Sequence, residues 1–310
     1  MKLSIVTSLY KSSPYINEFY RRVSAEASQL FVDDFEIIFV NDGSPDDSLS
    51  VALEIAKTDT KVVVVNLSRN FGHHNAIMAG LDQSRGDLIF LIDIDLEEQP
   101  EWLSLFYKEL NITGSDVIYG SQSKRKGGLV ERLFGWIFWV SFFKLAKLPP
   151  QQSPVIARLM NRNYLTGLKL YTEKNFFLGG IAVHAGYKQL PYSVDKKDKK
   201  STSYSVFRRL SMAVNALTAF TAVPLLVLSI LGLCMAGAGL LMFADILLKK
   251  LTGKVLLLGW SSLMASIWLL FGVLTTSISV VGLYIVKIYE EVKGRPRYLV
   301  KSIFSQAEND

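Results

Sequence analysis

The chain has 310 residues, half of them apolar and one fifth charged, which excludes a disordered protein and supplies enough apolar material for one or two cores. Its formal net charge of +6 is unevenly distributed, because residues 1–204 are nearly balanced and the basic excess follows them. A nearly neutral main domain argues against a nucleic-acid-binding protein, which usually needs a basic face. The single cysteine, Cys234, excludes an internal disulfide framework and a multi-cysteine metal site.

The first 204 residues alternate between strand-like and helix-like sequence patterns. Strands are predicted at residues 3–9, 36–40, 62–66, 88–93 and 116–119, and helices near 15–31, 46–58, 73–84 and 100–111. Such alternation predicts an α/β domain with a mostly parallel sheet and helices on its faces. Sheets of this kind bind ligands at the carboxyl ends of their strands, so functional side chains are expected at that edge.

Three carboxylates follow the predicted strand 88–93. Asp93, Asp95 and Glu97 are spaced two apart, and residues two apart in an extended or turning segment share a face. We therefore expect them to converge on a hard divalent cation that also binds substrate phosphates. The alternative is a solvated acidic loop at a strand end. A similar alternative holds for Asp42, which precedes Gly43 after another strand and is also typical of a simple Asx turn.

Two long uncharged segments predict membrane helices. Residues 210–244 and 255–286 contain no charged side chain, and each is longer than the ~20 residues needed to cross a bilayer. We expect spans at 216–244 and 255–286 joined by a periplasmic turn at 245–254, with a pair of buried core helices as the alternative. Basic residues flanking this hairpin outnumber those in its turn, which predicts that both termini and the first domain are cytoplasmic.

Two further segments are expected to lie along the membrane surface. Residues 129–147 are rich in Trp and Phe and too interrupted to span, so they predict an interfacial helix, with a buried core helix as the alternative. Residues 205–215 predict an amphipathic juxtamembrane helix that leads into the first span. Residues 287–310 are expected to form a basic cytoplasmic tail.

Five motifs in this order resemble a known family. They are SIVTSLY (4–10), FVNDGSPDDS (39–48), LSRNFGHHNAIMAGLDQSRGD (67–87), IDIDLEEQPEW (92–102) and IYEEVKGRPRYLVKS (288–302). Together with the hairpin, they are similar to family 2 glycosyltransferases with a GT-A nucleotide-sugar-binding domain. Within that family they resemble the polyprenyl-phosphate branch, which includes dolichol-phosphate mannose synthases and bacterial bactoprenol glucosyltransferases.

The resemblance implies a function and a location. The implied reaction is metal-dependent, inverting transfer of a sugar from a UDP- or GDP-linked donor to undecaprenyl phosphate, a polyprenyl phosphate lipid. It would take place at the cytoplasmic face of the bacterial inner membrane and yield a lipid-linked monosaccharide for cell-envelope or O-antigen glycosylation. The implied cofactor is Mg²⁺ or Mn²⁺, and the implied assembly is a homo-oligomer.

The resemblance also implies residue roles at the matching positions, in three groups. These are nucleotide-sugar binding at Ser8, Leu9, Tyr10, Asp42, Arg69 and Asp93, metal binding at Asp95 and Glu97, and catalytic roles for Asp95 and Arg158, of which Arg158 is the expected contact of the acceptor phosphate. Three further basic residues are expected to bind the acceptor phosphate in compensation for departures from the family pattern, namely Arg125, Arg132 and Lys197. For Arg69 the alternative is an ion pair with a nearby carboxylate. For the basic residues near 125 and 197 it is a solvated loop beside anionic lipid headgroups.

The sequence departs from the family pattern around the expected acceptor site. Ile156 stands where the family's G-D-F-R-L segment has an Asp that is often proposed as the base. Gln122, Lys197 and Ser203 replace basic residues of two further motifs, an Arg, an Arg and a Lys. An acceptor phosphate is already largely ionised at neutral pH, so it needs positioning more than deprotonation.

Two other functions remain as alternatives. The departures leave open a catalytically weakened or non-catalytic membrane scaffold that keeps the fold, although retention of Asp42, Asp93, Asp95 and Glu97 argues against it. A processive polysaccharide synthase is disfavoured, because such enzymes generally need more membrane helices and a Q-x-x-R-W-type motif, which this sequence lacks.

Overall fold

A computed structural model describes residues 2–122, 154–173, 178–195 and 259–306, with isolated positions between 225 and 252. The elements in chain order are β1 (Leu3–Leu9), α1 (Ser13–Phe31), β2 (Phe35–Asn41), α2 (Ser48–Thr58), β3 (Val62–Leu67), α3 (His73–Gln83), β4 (Leu88–Leu91), α4 (Trp102–Thr113), β5 (Val117–Gln122), β6 (Pro154–Asn161), α5 (Arg162–Lys169), α6 (Leu178–His184), β7 (Gln189–Val194), α7 (Trp260–Val292) and β8 (Val300–Ser305). The chain divides into two compact units, of which the larger contains all the described strands and the smaller contains α7.

The larger unit is built on a sheet whose eight described strands lie in the order β7-β5-β6-β4-β1-β2-β3-β8. β1 is parallel to both β2 and β4, β2 is parallel to β3, and β5 is parallel to β7. β6 and β8 run antiparallel to their neighbours. The predicted α/β domain with a mostly parallel sheet is therefore confirmed.

Helices cover both faces of the central strands. The apolar side chains of α1 recur at helical spacing, and Phe19 packs edge-on against Phe39 of β2 at a centroid distance of 6.3 Å. On the other face, α3 lies so close to the sheet that a Cβ at Gly80 would be 2.5 Å from Cγ1 of Val6 and 2.7 Å from Cγ2 of Val40. Strands covered on both faces are buried along their length, as β1 and β2 are.

Strand β4 ends at Leu91, two residues before its predicted end. The backbone N–H of Asp93 points to the carboxylate of Glu98, at 3.4 Å, rather than continuing a strand ladder. Leu96 has a φ of 60°, which turns the chain back sharply. The acidic segment is therefore a tight turn and not the end of an extended strand.

The segment predicted as a basic tail contributes strand β8. It pairs antiparallel with β3, with Leu67 opposite Val300, and Ser68 donates its N–H to the carbonyl of Leu299 at 2.9 Å. Immediately before it, the Tyr298 hydroxyl donates to Asp82 at the end of α3, and Arg297 donates to the carbonyl of Tyr171 at 2.6 Å. The side chains of β8 are mostly exposed, which is why its apolar pattern is weak in the sequence.

The smaller unit contains the long helix α7. In the part of the chain that the structure describes, Leu270–Val292 is the one helical segment long and apolar enough to cross a membrane. The predicted second span, 255–286, overlaps this helix. Most of the first predicted span and of the turn at 245–254, and all of the segments 129–147 and 205–215, lie outside the described residues. The two-helix hairpin is therefore not confirmed.

The carboxylate of Asp46, in the loop after β2, forms hydrogen bonds with the first residues of α1 and α2. Its Oδ1 accepts hydrogen bonds from the hydroxyls of Ser44 (2.5 Å) and Ser48 (2.6 Å) and from the Ser48 N–H (3.2 Å), and its Oδ2 accepts the Ser13 N–H (3.2 Å). Partial burial alone would raise the pKa of this carboxyl. The bonds from Ser44, Ser48 and Ser13 outweigh that effect and hold the pKa well below its usual range.

We expect Asp46→Ala to lower the free energy of unfolding by about 2 kcal/mol at pH 7, because it removes hydrogen bonds to a charged acceptor. The folded-state pKa is depressed, so this stabilisation is present above the unfolded pKa of about 3.9 and is lost as pH falls below it. Urea titrations of the detergent-solubilised protein should show the difference between wild type and variant begin to shrink below about pH 5 and continue to shrink as pH falls toward the depressed folded-state pKa. The exposed neighbour Asp47, whose side chain makes no cap bond, provides the control Asp47→Ala. A difference that is constant with pH would contradict the charge-based role.

Candidate active site

Four neighbouring strands bring predicted site residues to one edge of the sheet. β1 carries Ser8, and Asp42 follows the end of β2. On the other side of β1, strand β4 leads into Asp93. On the next strand, β6, Arg158 is paired with Leu91, the last residue of β4. The carboxyl-end edge that the α/β pattern predicts as the ligand site therefore gathers residues of both expected charges.

Asp42 organises the loop that leads into α3. Its side chain is 2% exposed, its Oδ1 accepts the Phe71 N–H at 2.7 Å, and its Oδ2 accepts the Gly72 N–H at 3.0 Å. Burial raises the pKa of the Asp42 carboxyl, and the two backbone hydrogen bonds counteract part of that rise. The structure thus shows a loop-fixing role for Asp42, and its contact with a nucleotide stays a prediction.

The turn after β2 and the loop after β3 pack backbone against backbone. Gly43 has a φ of 58°, and a Cβ at this residue would be 2.5 Å from the backbone nitrogen of Asn70. In the same loop, the guanidinium carbon of Arg69 lies 4.1 Å from the centroid of the Phe71 ring. Among the described residues Arg69 makes no ion pair with a carboxylate, so its exposed cation faces solvent beside the strand ends.

Ser8 and Asp93 both contact His73, the first residue of α3. The imidazole Nδ1 is 3.0 Å from the Ser8 hydroxyl oxygen, and Nε2 is 3.4 Å from Oδ1 of Asp93. His73 was not among the site residues predicted from the sequence. The available signal was its place at the start of a predicted helix, directly after the R-N-F-G segment, but two adjacent histidines do not share a helix face.

The acidic turn does not gather its three carboxylates. Asp93 is directed toward His73, and Asp95 accepts the backbone N–H of Glu97 through Oδ1 at 3.1 Å. Across residues 2–122, 154–173, 178–195 and 259–306, no three Asp, Glu, His or Cys side chains are grouped to hold a metal ion. The three carboxylates of the turn are therefore not grouped around one point in this structure, because the positive φ at Leu96 interrupts the extended geometry that puts residues two apart on one face.

Asp95 and Glu97 still provide chemistry suited to a divalent cation. Both side chains are half-buried at the ligand edge, and carboxylate oxygens are the hard donors that Mg²⁺ and Mn²⁺ prefer. Mg²⁺ is commonly held by one or two carboxylates with substrate phosphates completing its shell. A two-carboxylate set at Asp95 and Glu97 fits that pattern and stays a prediction.

Glu98 connects the acidic turn to β6. Its side chain is fully buried, and its carboxylate accepts the N–H of Ile156 at 3.0 Å as well as that of Asp93 at 3.4 Å. Glu97 was among the predicted site residues and Glu98 was not, because nothing in a run of acidic residues indicates which of them is buried. The bond fixes Asp93 relative to the strand that carries Arg158.

Arg158 is a buried cation. It is 4% exposed, and it donates from Nε to the carbonyl of Ile156 (3.1 Å) and from Nη2 to that of Val155 (3.3 Å). No carboxylate pairs with it in the described part of the chain. Burial is the main cause that lowers the pKa of His74 to about 4, so His74 is neutral at pH 7. A buried guanidinium whose surroundings are neutral carbonyls and the hydroxyl of Tyr164 favours an anionic ligand.

The remaining predicted residues differ in accessibility. Tyr10 is 48% exposed, so its ring can contact a ligand. Leu9 is 0% exposed within the core, and its carbonyl accepts the Asp42 N–H at 3.0 Å, so its side chain is not accessible to a nucleotide. Arg125, Arg132 and Lys197 lie outside the described residues.

We expect Gly43→Ala to weaken nucleotide binding and stability together. Both Gly43 and Gly114 have positive φ, at 58° and 55°, but a Cβ on Gly114 meets nothing within 4 Å. Gly114→Ala should therefore cost only the backbone strain of about 1 kcal/mol, whereas Gly43→Ala should cost about 1–3 kcal/mol more because two loops must separate. Urea titration and calorimetric titration with UDP and GDP measure the two effects. Equal stability losses and unchanged nucleotide affinity in both variants would contradict this account of the loops.

Comparison with known proteins identifies the family. Residues 4–177, more than half of the 310-residue chain, match the family model described as glycosyl transferase family 2. A protein of Mycobacterium tuberculosis (strain CDC 1551 / Oshkosh) named as a glycosyltransferase is 38% identical over 304 residues, covering 98% of this chain and 89% of the relative. The bactoprenol glucosyl transferase of Shigella phage SfX is 31% identical over 306 residues, covering 97% and 99%.

Solved structures show a more distant likeness. The structure of glucosyl-3-phosphoglycerate synthase from Mycobacterium tuberculosis in complex with UDP aligns with a TM-score of 0.46 and 18% identity, over 71% of this chain and 78% of that one. The family-model match and the relatives aligned along nearly the whole sequence therefore show that this chain belongs to glycosyl transferase family 2 and is a transferase.

Proposed function

We propose that the protein transfers a sugar from a UDP- or GDP-linked donor to undecaprenyl phosphate or a similar polyprenyl phosphate, with the assistance of Mg²⁺ or Mn²⁺ and with inversion at the sugar. The observation that carries the proposal is the buried guanidinium of Arg158, which has no carboxylate partner in the described chain and lies one strand from the acidic turn. A site with separate cationic and acidic parts matches a reaction that joins a lipid phosphate to a nucleotide sugar. The relative named bactoprenol glucosyl transferase supports the lipid acceptor.

The donor half of the proposed site lies around β1, β2 and the loop after β3. Ser8, Tyr10, Asp42 and Asp93 would hold the nucleoside, and the exposed guanidinium of Arg69 would contact the diphosphate. Asp95 and Glu97 would hold the divalent cation, which supplies Lewis-acid stabilisation of the diphosphate leaving group. The half-buried position of both carboxylates limits competing hydration of the charges around them.

The acceptor half is centred on Arg158. An acceptor phosphate monoester has its second pKa near 6 and is therefore largely a dianion at pH 7. In the proposed step, a phosphate oxygen forms a bond to the anomeric carbon while the bond from that carbon to the diphosphate oxygen breaks, and its electron pair leaves with the nucleoside diphosphate. A single displacement inverts the anomeric configuration. Because the nucleophile is already ionised, the step needs no protein base, and an aliphatic Ile156 is compatible with it.

The lipid acceptor requires that the reaction occur at a membrane. Helix segment Leu270–Val292 is long and apolar enough to span, and the predicted cytoplasmic side follows from the basic residues that flank the proposed hairpin. We therefore place the reaction at the cytoplasmic face of the bacterial inner membrane, with a lipid-linked monosaccharide for cell-envelope or O-antigen glycosylation as its product. The assembly proposed is a homo-oligomer.

We expect Asp95→Ala to reduce sugar transfer at least about 100-fold, because it removes a ligand of the ion that stabilises the leaving group. The measurement is transfer of radiolabelled sugar to undecaprenyl phosphate in detergent, with UDP- and GDP-linked donors, with Mn²⁺ or with excess chelator. Asp33→Ala is the control, since Asp33 pairs with Lys61 at the surface and its side chain is 83% exposed. Full wild-type activity in chelator would defeat the metal role. Nucleotide binding without turnover on any lipid phosphate would favour the non-catalytic scaffold.

For Arg158→Met we expect the KM for the lipid phosphate to rise at least about tenfold, because the variant loses a charged hydrogen-bond donor to phosphate. Nucleotide affinity should stay within about threefold of wild type. The unfolding free energy should be unchanged or higher, because replacing a buried charge with an apolar side chain is often neutral or stabilising. Arg21→Met, at a side chain that is 71% exposed, is the matched control. A marked loss of stability with a normal acceptor KM would show that Arg158 is structural.

A further inference from the structure

His73 bridges two residues that reach the site from different strands. Ser8 lies on β1 and Asp93 follows β4, while His73 begins α3, which the chain enters from β3. The imidazole is 43% exposed, so it lies at the protein surface and not in the core. One side chain thereby contacts two of the residues proposed to hold the nucleotide.

The partners determine which ring nitrogen carries the proton. A carboxylate only accepts hydrogen bonds, so the contact with Asp93 requires a proton on Nε2. In the neutral ring Nδ1 is then an acceptor, and the Ser8 hydroxyl donates to it at 3.0 Å. The result is a directed chain from the Ser8 hydroxyl to His73 and from His73 to Asp93. The Nε2–Oδ1 distance of 3.4 Å is typical of unliganded sites, where such contacts tighten on binding.

The carboxylate of Asp93 gains a fixed orientation from this contact. The terminal torsion of an aspartate is broad, so an uncontacted carboxylate samples many orientations. Here the backbone N–H of Asp93 contacts Glu98 and its Oδ1 contacts His73, so both the main chain and the carboxylate are restrained. Fixing a ligand-binding group before the ligand arrives reduces the entropy lost on binding.

The ring of His73 is itself supported from its helix. Its centroid lies 5.4 Å from that of the half-buried His74, the next residue of α3. The loop before His73 is fixed by Asp42 through the N–H groups of Phe71 and Gly72. His73 thus follows a loop that is fixed by hydrogen bonds, and its two ring nitrogens contact Ser8 and Asp93.

We propose that His73 is a positioning residue that orients Asp93, and through it the nucleotide-sugar donor, by donating the Nε2 proton to the Asp93 carboxylate. The assignment rests on the proposed function, because it takes Asp93 as a nucleotide contact. The contact with Ser8 selects the tautomer, and the contact with Asp93 has the positioning effect. The two contacts are separable by substitution.

Two conservative variants each retain one half of the imidazole. The amide oxygen of Asn is attached at the same carbon position as Nδ1, so His73→Asn keeps an acceptor for Ser8 and loses the donor to Asp93. The amide nitrogen of Gln extends one atom further, as Nε2 does, so His73→Gln keeps a donor to Asp93. His73→Ala loses both contacts.

The test measures binding of UDP and GDP by calorimetry with Mn²⁺, and donor KM and kcat for transfer to undecaprenyl phosphate, all with the full chain in detergent. We expect His73→Ala and His73→Asn to weaken nucleotide affinity and raise donor KM roughly tenfold, as for loss of a hydrogen bond to a charged group. His73→Gln should stay within about threefold of wild type. kcat at saturating donor and the KM for the lipid should change less than donor KM in every variant.

Controls separate positioning from a general structural role. His184 bonds the Tyr171 hydroxyl through Nδ1 at 3.0 Å, so His184→Asn repeats the chemical change away from the strand ends. It should leave nucleotide affinity unchanged, and thermal midpoints of the His73 variants should match wild type. Wild-type affinity in His73→Ala, or equal losses in the Asn and Gln variants, would overturn the role of His73 while wild-type transfer upholds the proposed function. A wild-type protein that binds neither nucleotide would overturn both.

Discussion

The carboxylate of Asp42 is the contact on which the donor side of the site depends. It is buried at the end of β2 and accepts the N–H groups of Phe71 and Gly72, the two residues before α3. Those bonds determine where α3 begins and thereby where His73 lies. Because a side chain at Gly43 would overlap the backbone of Asn70, the turn after β2 and the loop after β3 pack in direct contact. Apart from any contact with the nucleotide, Asp42 therefore determines the position of the loop that leads into His73.

Charge is distributed across the ligand edge in a consistent order. The acidic turn follows the central strand β4, and cations lie on both sides of it, with Arg158 buried on β6 and Arg69 exposed in the loop after β3. Glu98 bonds the backbone of both the acidic turn and β6, so the spacing between anionic and cationic parts is fixed by a buried contact. In the proposed reaction, this arrangement would hold the anionic acceptor phosphate close to the anionic diphosphate of the donor while both remain charged.

The bounds of helices and strands were predicted well where the side chains of an element are buried along most of its length. β1 occurs at its predicted bounds, 3–9, and α3 within one residue of them, because their apolar side chains are packed along most of their length. β8 was missed because an edge strand with exposed side chains has little apolar signal. The predicted convergence of the acidic side chains is not seen, because Leu96 adopts a positive φ. A leucine in the sequence gives no reason to expect that backbone conformation.

Site residues could be predicted where a sequence motif identifies them, and not where their contacts come from distant parts of the chain. Asp42, Asp93 and Arg158 were identified from motifs, and the sheet does bring them to one edge. His73 and Glu98 act through partners distant in the chain, Ser8 for one and Ile156 for the other, so only tertiary structure shows their contacts. Leu9 had the right neighbours in sequence, but the alternation of side chains along β1 directs it into the core.

The pairing of β8 with β3 has a consequence for biosynthesis. The ribosome makes α7 before β8, so β3 emerges long before its antiparallel partner exists and is an unprotected edge throughout that interval. Completion of the sheet therefore waits until all of α7 has been synthesised. Truncated products that lack β8 would keep an open strand edge that is prone to aggregation. We expect chaperones to bind such products and proteases to degrade them.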